Sequence, residues 1–169
     1  MRKSYVEERR SFIKLGAEHA LKKYPNNVEW EHYAKGIDLL WDEPFQIENI
    51  DKAIAQFKKC DLPHAAFGIF DCYEILDDKE NSLKYLEKFR RYDKKCEASY
   101  CLHYALEFLT DDDADKLVLL KKSAKLGNYY SKKILVMRYN LNFKRLRVLK
   151  NGIFLAYLLA TNPLDVRLF

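Results

Sequence analysis

Asp115-Lys116-Leu117-Val118-Leu119-Leu120-Lys121-Lys122-Ser123-Ala124-Lys125-Leu126-Gly127-Asn128-Tyr129-Tyr130-Ser131 is the stretch whose reading decides the fold. Asp111-Asp112-Asp113 stands ahead of it, and carboxylates there suit the positive N-terminal end of a helix dipole. The spacing predicts a helix over residues 114–126. Gly127-Asn128 is a signal for a left-handed C-cap, and a second helix is expected over about 130–141. Helix, tight turn and helix make a hairpin.

Outward from this hairpin the same punctuation recurs. A first helix is expected over residues 4–23, with Ile13, Gly16, Ala17, Ala20, Leu21 and Tyr24 at the three-four spacing of one buried face. Pro25-Asn26-Asn27 stops it, because proline cannot continue the backbone ladder. Residues 28–40 put Trp30, Tyr33, Ile37 and Leu40 on one stripe. Asn49 is placed to cap a helix carrying Ile50, Ala53, Ile54 and Phe57. Asp61-Leu62-Pro63 breaks that helix and starts the next, with Pro63 in the first turn and Ala66, Phe67, Phe70, Tyr73 and Ile75 or Leu76 inside. Asp77-Asp78 precedes a helix with Leu83, Leu86 and Phe89 inward, and residues 97–109 form another around Cys101, Leu102, Ala105, Phe108 and Leu109. A closing helix is expected over 146–160. About nine helices result, and no segment alternates with period two.

The composition agrees. With 49% apolar and 33% charged residues the 169-residue chain can bury a core. Its 5 Gly and 4 Pro are too few for a sandwich of many short strands. Met1 to Arg10 carries no apolar core and is not expected to act as a signal peptide. The apolar stretch from Gly152 to Ala160 falls short of the roughly 20 residues needed to cross a bilayer. Cys60, Cys72, Cys96 and Cys101 show no CxxC spacing and read as buried thiols, which points to the cytoplasm.

Three segments share a pattern of cap-like polar residue, apolar pair, basic residues and a small or apolar residue: 51–60, 81–89 and 115–124. They start roughly 28–35 residues apart, the period of helix-pair repeats. The last, continued to Ser131, resembles the Sel-one-like repeat, a relative of the tetratricopeptide repeat. Ser123-Ala124 stands at that family's Ala-Ala pair and Gly127-Asn128 at its turn, while Leu119-Leu120 replaces an aromatic pair. Asp61-Leu62-Pro63-His64 replaces the glycine turn, and Asp93-Lys94-Lys95 lacks it. The resemblance spans Asp51 to Asn140 and implies an all-α chain of stacked antiparallel hairpins, a short right-handed α-solenoid that scaffolds protein–protein contacts. The expected organisation is one domain over 1–169, with an N-terminal helix pair at 1–48, degenerate repeats at 49–141 and a closing helix and tail at 142–169. An irregular helical bundle is the competing arrangement.

Charge is unevenly spread. Residues 116–169 hold 12 Lys or Arg against one Asp, a net +11, and no acid lies between Lys116 and Leu164. Residues 1–115 hold 18 Lys or Arg against 24 Asp or Glu, a net −6. A single-sign field of this size draws an opposite charge and speeds its encounter. Two accounts compete: the acidic half offsets the basic one, within the molecule or in a dimer, or a partner protein with an acidic surface binds. The second account names Lys132, Lys133, Arg138, Lys144, Arg145, Arg147 and Lys150, with Tyr130 and Tyr139, as the partner-binding set. An immunity protein neutralising a secreted bacterial toxin is its specific form. Nucleic acid is the alternative partner, since Lys144, Arg147 and Lys150 step by three and Tyr129, Tyr130, Tyr139 and Phe143 lie nearby for base stacking.

Catalytic signatures were sought in the same residues. His19, His32, His64 and His103 have no HxxxH or HExxH spacing and read as partly exposed helical residues. Asp111-Asp112-Asp113 lacks the alternating ligands, glycine and distal glutamate of a Ca²⁺ loop. Cys101 and His103, two apart on one helix, point to different faces. The expectation is a protein that is not an enzyme, with no cofactor, no metal site and no membrane span.

Overall fold

Phe57 contributes a whole benzene ring to a place where three helices meet, and two glycines make the room for it. The computed structural model describes residues 14–41, 46–111 and 113–139, with side chains through 136. Its helices are α1 (14–23), α2 (Val28–Trp41), α3 (Asn49–Phe57), α4 (Pro63–Ile75), α5 (Lys79–Arg90), α6 (Lys94–Glu107), α7 (Ala114–Lys125) and α8 (Tyr129–Tyr139). No strand occurs among the described residues. The chain divides into two compact units, Met1–Phe89 and Arg90–Phe169. The start of the first helix and the closing helix expected over 146–160 lie outside the described residues.

The helix ends follow from short-range chemistry. The Asn27 side-chain oxygen accepts from the backbone N–H groups of Glu29 and Trp30, at 3.1 and 3.2 Å, and so caps α2. Asp78 accepts from the N–H of Asn81 at 3.1 Å, ahead of α5. Asn128 does the same for Ser131 at 3.0 Å, ahead of α8. Each capping residue follows one with positive φ: Asn26 at 67°, Asp77 at 56° and Gly127 at 108°. After α7 the N–H of Asn128 reaches the carbonyl of Ser123 and that of Gly127 the carbonyl of Ala124, the paired bonds of a Schellman turn. The left-handed turn read from Gly127-Asn128 is therefore present.

Two ends differ from expectation. Asn49 is the first residue of α3 rather than its cap. The flanking Glu48 is helical and makes no side-chain cap bond. Asp93 caps α6 by accepting from the N–H of Cys96 at 2.8 Å, so this helix starts three residues before the expected Glu97.

In the first unit α2 and α3 run antiparallel. Glu29 lies beside Cys60, whose thiol donates to its carbonyl at 3.2 Å, and His32 Nδ1 meets Gln56 Oε1 at 2.9 Å. Farther along, a Cβ added to Gly36 would stand 2.5 Å from Phe57 Cε1, and one added to Gly68 of α4 would stand 2.8 Å from Phe57 Cζ. Phe57 is fully buried. Glycine is required at 36 and 68 because the ring occupies the space a side chain would fill. α4 and α5 are also antiparallel: Phe67 packs on Phe89 and Tyr73 on Tyr85, with ring centroids 4.8 and 5.7 Å apart, and the Ser82 hydroxyl donates to Glu74. Eight consecutive residues of α4, Ala65 to Cys72, are buried, so it is a core helix rather than an amphipathic one. Ile75 and Leu76, expected inside, are exposed where α4 ends, as is Tyr24 after α1.

In the second unit the Ser123 hydroxyl donates to the carbonyl of Ala98 at 2.6 Å, while Lys116 at the start of α7 reaches the carbonyl of Leu109 just past α6. These contacts fix α6 and α7 as an antiparallel pair. Ser131 Oγ donates onward to Ser123 Oγ at 2.7 Å, tying α8 to α7. Leu102, Ala105, Leu120, Ala124 and Leu135 form the core between them. α6 is buried on most sides, Ser99, Tyr100 and His103 included. His103 is thus a core residue rather than a partly exposed one.

The α2–α3 and α6–α7 pairs share a plan. Lys58-Lys59-Cys60 matches Lys121-Lys122-Ser123, and in each the small polar residue donates to a carbonyl of the preceding helix, that of Glu29 or Ala98. Three residues earlier stand Phe57 and Leu120, both fully buried. Seven residues beyond Glu29 and Ala98 stand Gly36 and Ala105. A large ring against glycine in one hairpin answers a leucine and an alanine in one core cluster in the other. Aligning the segments on Asp51 and Asp115 is off by one residue; the buried contacts set the register.

Gly36→Ala and Gly68→Ala should each destabilise the chain. Overpacking costs about 1–3 kcal/mol, against up to about 1 kcal/mol returned by helix propensity. In a Phe57→Leu background the Gly36→Ala loss should shrink, a coupling that urea-denaturation midpoints of the four variants would measure.

Candidate partner-binding surface

The lysines of the basic region meet three different fates. Lys116 is turned inward and 5% exposed; its ammonium donates to the Leu109 carbonyl at 3.1 Å and pairs with Asp111 at 2.8 Å. It closes the α6–α7 connection and belongs to the fold. Lys122 pairs with Glu97 across the α6–α7 interface at 2.7 Å. Hydrogen bonding and attraction to Lys122 hold the Glu97 carboxyl below its ordinary range, and the same hydrogen bond raises Lys122. Both side chains are largely in water, so the pair adds at most about 1 kcal/mol. Lys121, Lys125 and Lys133 are exposed, and none has a carboxylate partner among the described residues.

The expected partner-binding set is distributed as follows. Lys133 is exposed on α8 and Lys132 half-buried. Tyr130 is half-buried and packs on the Leu102–Leu135 core, so most of its ring supports α8. Arg138 and Tyr139 lie in the last turn of α8. Lys144, Arg145, Arg147 and Lys150 fall outside the described residues.

Other cations precede the acid-free segment and lie outside the expected set. Arg90, Arg91 and Lys94 are exposed at the start of the second unit, and the Arg90 guanidinium lies 4.8 Å from the Tyr100 ring centre. Arg90 and Lys94 both act on the Glu97 carboxylate. The spacing of Lys94 and Glu97, three apart on one helix face, was the available signal.

Asp111 and Asp113 are committed to structure. Asp113 caps α7 by accepting from the N–H of Asp115 at 2.9 Å, and Asp111 holds Lys116. Among the described residues no group of His, Cys, Asp and Glu is arranged to hold a metal ion, and no helix is long and apolar enough to cross a membrane. All four cysteines are buried thiols outside any disulfide, as their sequence context suggests. Burial pushes the Cys60 thiol up to about 11, with Glu29 adding to the effect. It raises Cys101 and, far more, Cys72, which also sits beside Asp71. Protonated, enclosed thiols are poor nucleophiles.

Comparison of the chain with protein-family models, with curated proteins and with solved structures finds no match.

Two measurements check these assignments. Lys116→Ala should lower stability by about 1 kcal/mol or more by stripping the part-buried Leu109 carbonyl of its donor. Lys121→Ala should stay within about 0.5 kcal/mol; chemical denaturation compares them. With burial raising its thiol, Cys60 is almost wholly protonated near pH 8, where a free thiol is partly thiolate. Iodoacetamide should therefore label the folded chain far more slowly than the urea-unfolded chain, as mass spectrometry would show.

Proposed function

We propose that this chain is a non-catalytic, cytoplasmic scaffold built from tetratricopeptide-like hairpins, and that its basic C-terminal part holds an acidic partner protein. The observation that carries the reading is the presentation of Lys121, Lys125 and Lys133 on the outside of helices whose inner faces are locked by apolar packing and buried hydroxyl bonds. A rigid frame spares the cost of ordering backbone on binding, and its exposed cations favour an encounter steered by charge. The shared plan of the α2–α3 and α6–α7 hairpins supports a repeat scaffold, since stacked repeats bury their faces against neighbours and leave outer positions free to vary.

An immunity protein that neutralises a secreted toxin is the specific form proposed. Such a role asks for a small charged binding surface and rapid association, and the charge distribution suits both. Arg138, Lys144, Arg145, Arg147 and Lys150 add five further positive charges to the same acid-free segment of the sequence.

The test is a capture experiment. The tagged full chain is used to retain a partner from its native host, and the association rate is then measured with Lys144, Arg145 and Arg147 all changed to Glu. The reading expects association slower by about tenfold or more, with a shallower dependence on salt. Unchanged rates would remove it, and a partner that proves to be nucleic acid, with a steep salt slope, would replace it.

A further inference from the structure

The outer face of α7 joins an exposed apolar side chain to an unusual density of positive charge. Val118 is 61% exposed in the middle of a helix whose neighbouring apolar residues point inward. Lys121, Lys122 and Lys125 follow it at spacings of three, four and seven, which puts all four side chains on one broad face. Lys122 leads across to α6, where it pairs with Glu97, a carboxylate on which Arg90 and Lys94 also act.

We infer that this face of α7, with the adjoining edge of α6, is the docking surface for an acidic amphipathic segment of a partner protein, with Val118 as the apolar contact and Lys121 and Lys125 as the charged contacts. The inference rests on the acidic-partner reading and locates the contact on α7 rather than beyond α8.

The chemistry favours protein over nucleic acid. An apolar contact within a charged rim is the make-up of a protein interface. A phosphate backbone would gain nothing from Val118. A helical segment of the partner with carboxylates three and four residues apart would match the lysine spacing, and an aliphatic side chain between them would cover Val118. Lys122 is already engaged by Glu97, so it stiffens the surface, while Lys121 and Lys125 meet the incoming carboxylates.

The test uses the full chain and a defined probe: a fluorescein-labelled synthetic helical peptide with Glu at three-four spacing beside one leucine stripe, followed by fluorescence anisotropy at low ionic strength. The comparators are a peptide of the same composition in shuffled order and a single-stranded oligothymidine of equal charge. Lys121→Glu with Lys125→Glu should weaken peptide binding at least tenfold, and Val118→Ser should weaken it several-fold while leaving the salt dependence unchanged. Circular dichroism checks that each variant is folded; Lys121→Gln with Lys125→Gln serves if the reversal is not.

Peptide binding that survives the α7 changes but is lost on reversing Lys144, Arg145 and Arg147 would overturn the α7 surface and leave the acidic-partner reading standing. No peptide binding, or binding indifferent to both sets of changes, would sink both. Tighter, Lys121- and Lys125-dependent binding of the oligothymidine would overturn the choice of a protein partner.

Discussion

The first unit depends on one ring held between two glycines. Phe57 projects from the last turn of α3 into a space bounded by Gly36 on α2 and Gly68 on α4, and no other residue type at 36 or 68 would let the three helices approach so closely. Burying such a ring contributes about 1.5–3 kcal/mol. The larger consequence is geometric. Because close-packed interiors relax only partly, a contact that spans three helices fixes their mutual spacing together. Tyr33 adds its own ring against Phe57, with centroids 5.8 Å apart. It also meets Trp30 and His64, so the packing continues to the open ends of α2 and α4.

The second unit reaches the same end by other means. Leu120 and Ala105 take the places of ring and glycine, and hydroxyls supply what aromatic packing supplies in the first unit. Ser123 donates to Ala98, Ser131 donates to Ser123, and Asn128 receives the N–H of Ser131, so one buried chain of hydrogen bonds links α6, α7 and α8. Such a network strengthens each member in a low-dielectric setting. It also explains why small polar residues occupy positions that apolar periodicity alone would assign to leucine or alanine.

A frame secured in this way leaves its charges free for use. Lys116 shows how misleading a count can be, since a residue that heads the basic segment is spent inside the fold. Arg90 and Lys94 show the reverse, acting on the Glu97 carboxylate from outside that segment. The charge presented at the surface is therefore not the charge tallied along the chain.

The sequence by itself determined the all-helical class, the turn at Gly127-Asn128, the breaks at Pro25 and Pro63 and most helix limits, because caps, prolines and three-four spacing act within a few residues. It also marked the buried thiols and the basic C-terminal segment. Only the tertiary structure decided that α4 and α6 are buried on most sides, that Gly36 and Gly68 serve Phe57, that His103 is core, and which lysines face water. These depend on what lies across from a residue rather than beside it. Leu120 and Val118 are equally apolar in sequence, yet one is fully buried and the other 61% exposed, because only one of them faces a neighbouring helix.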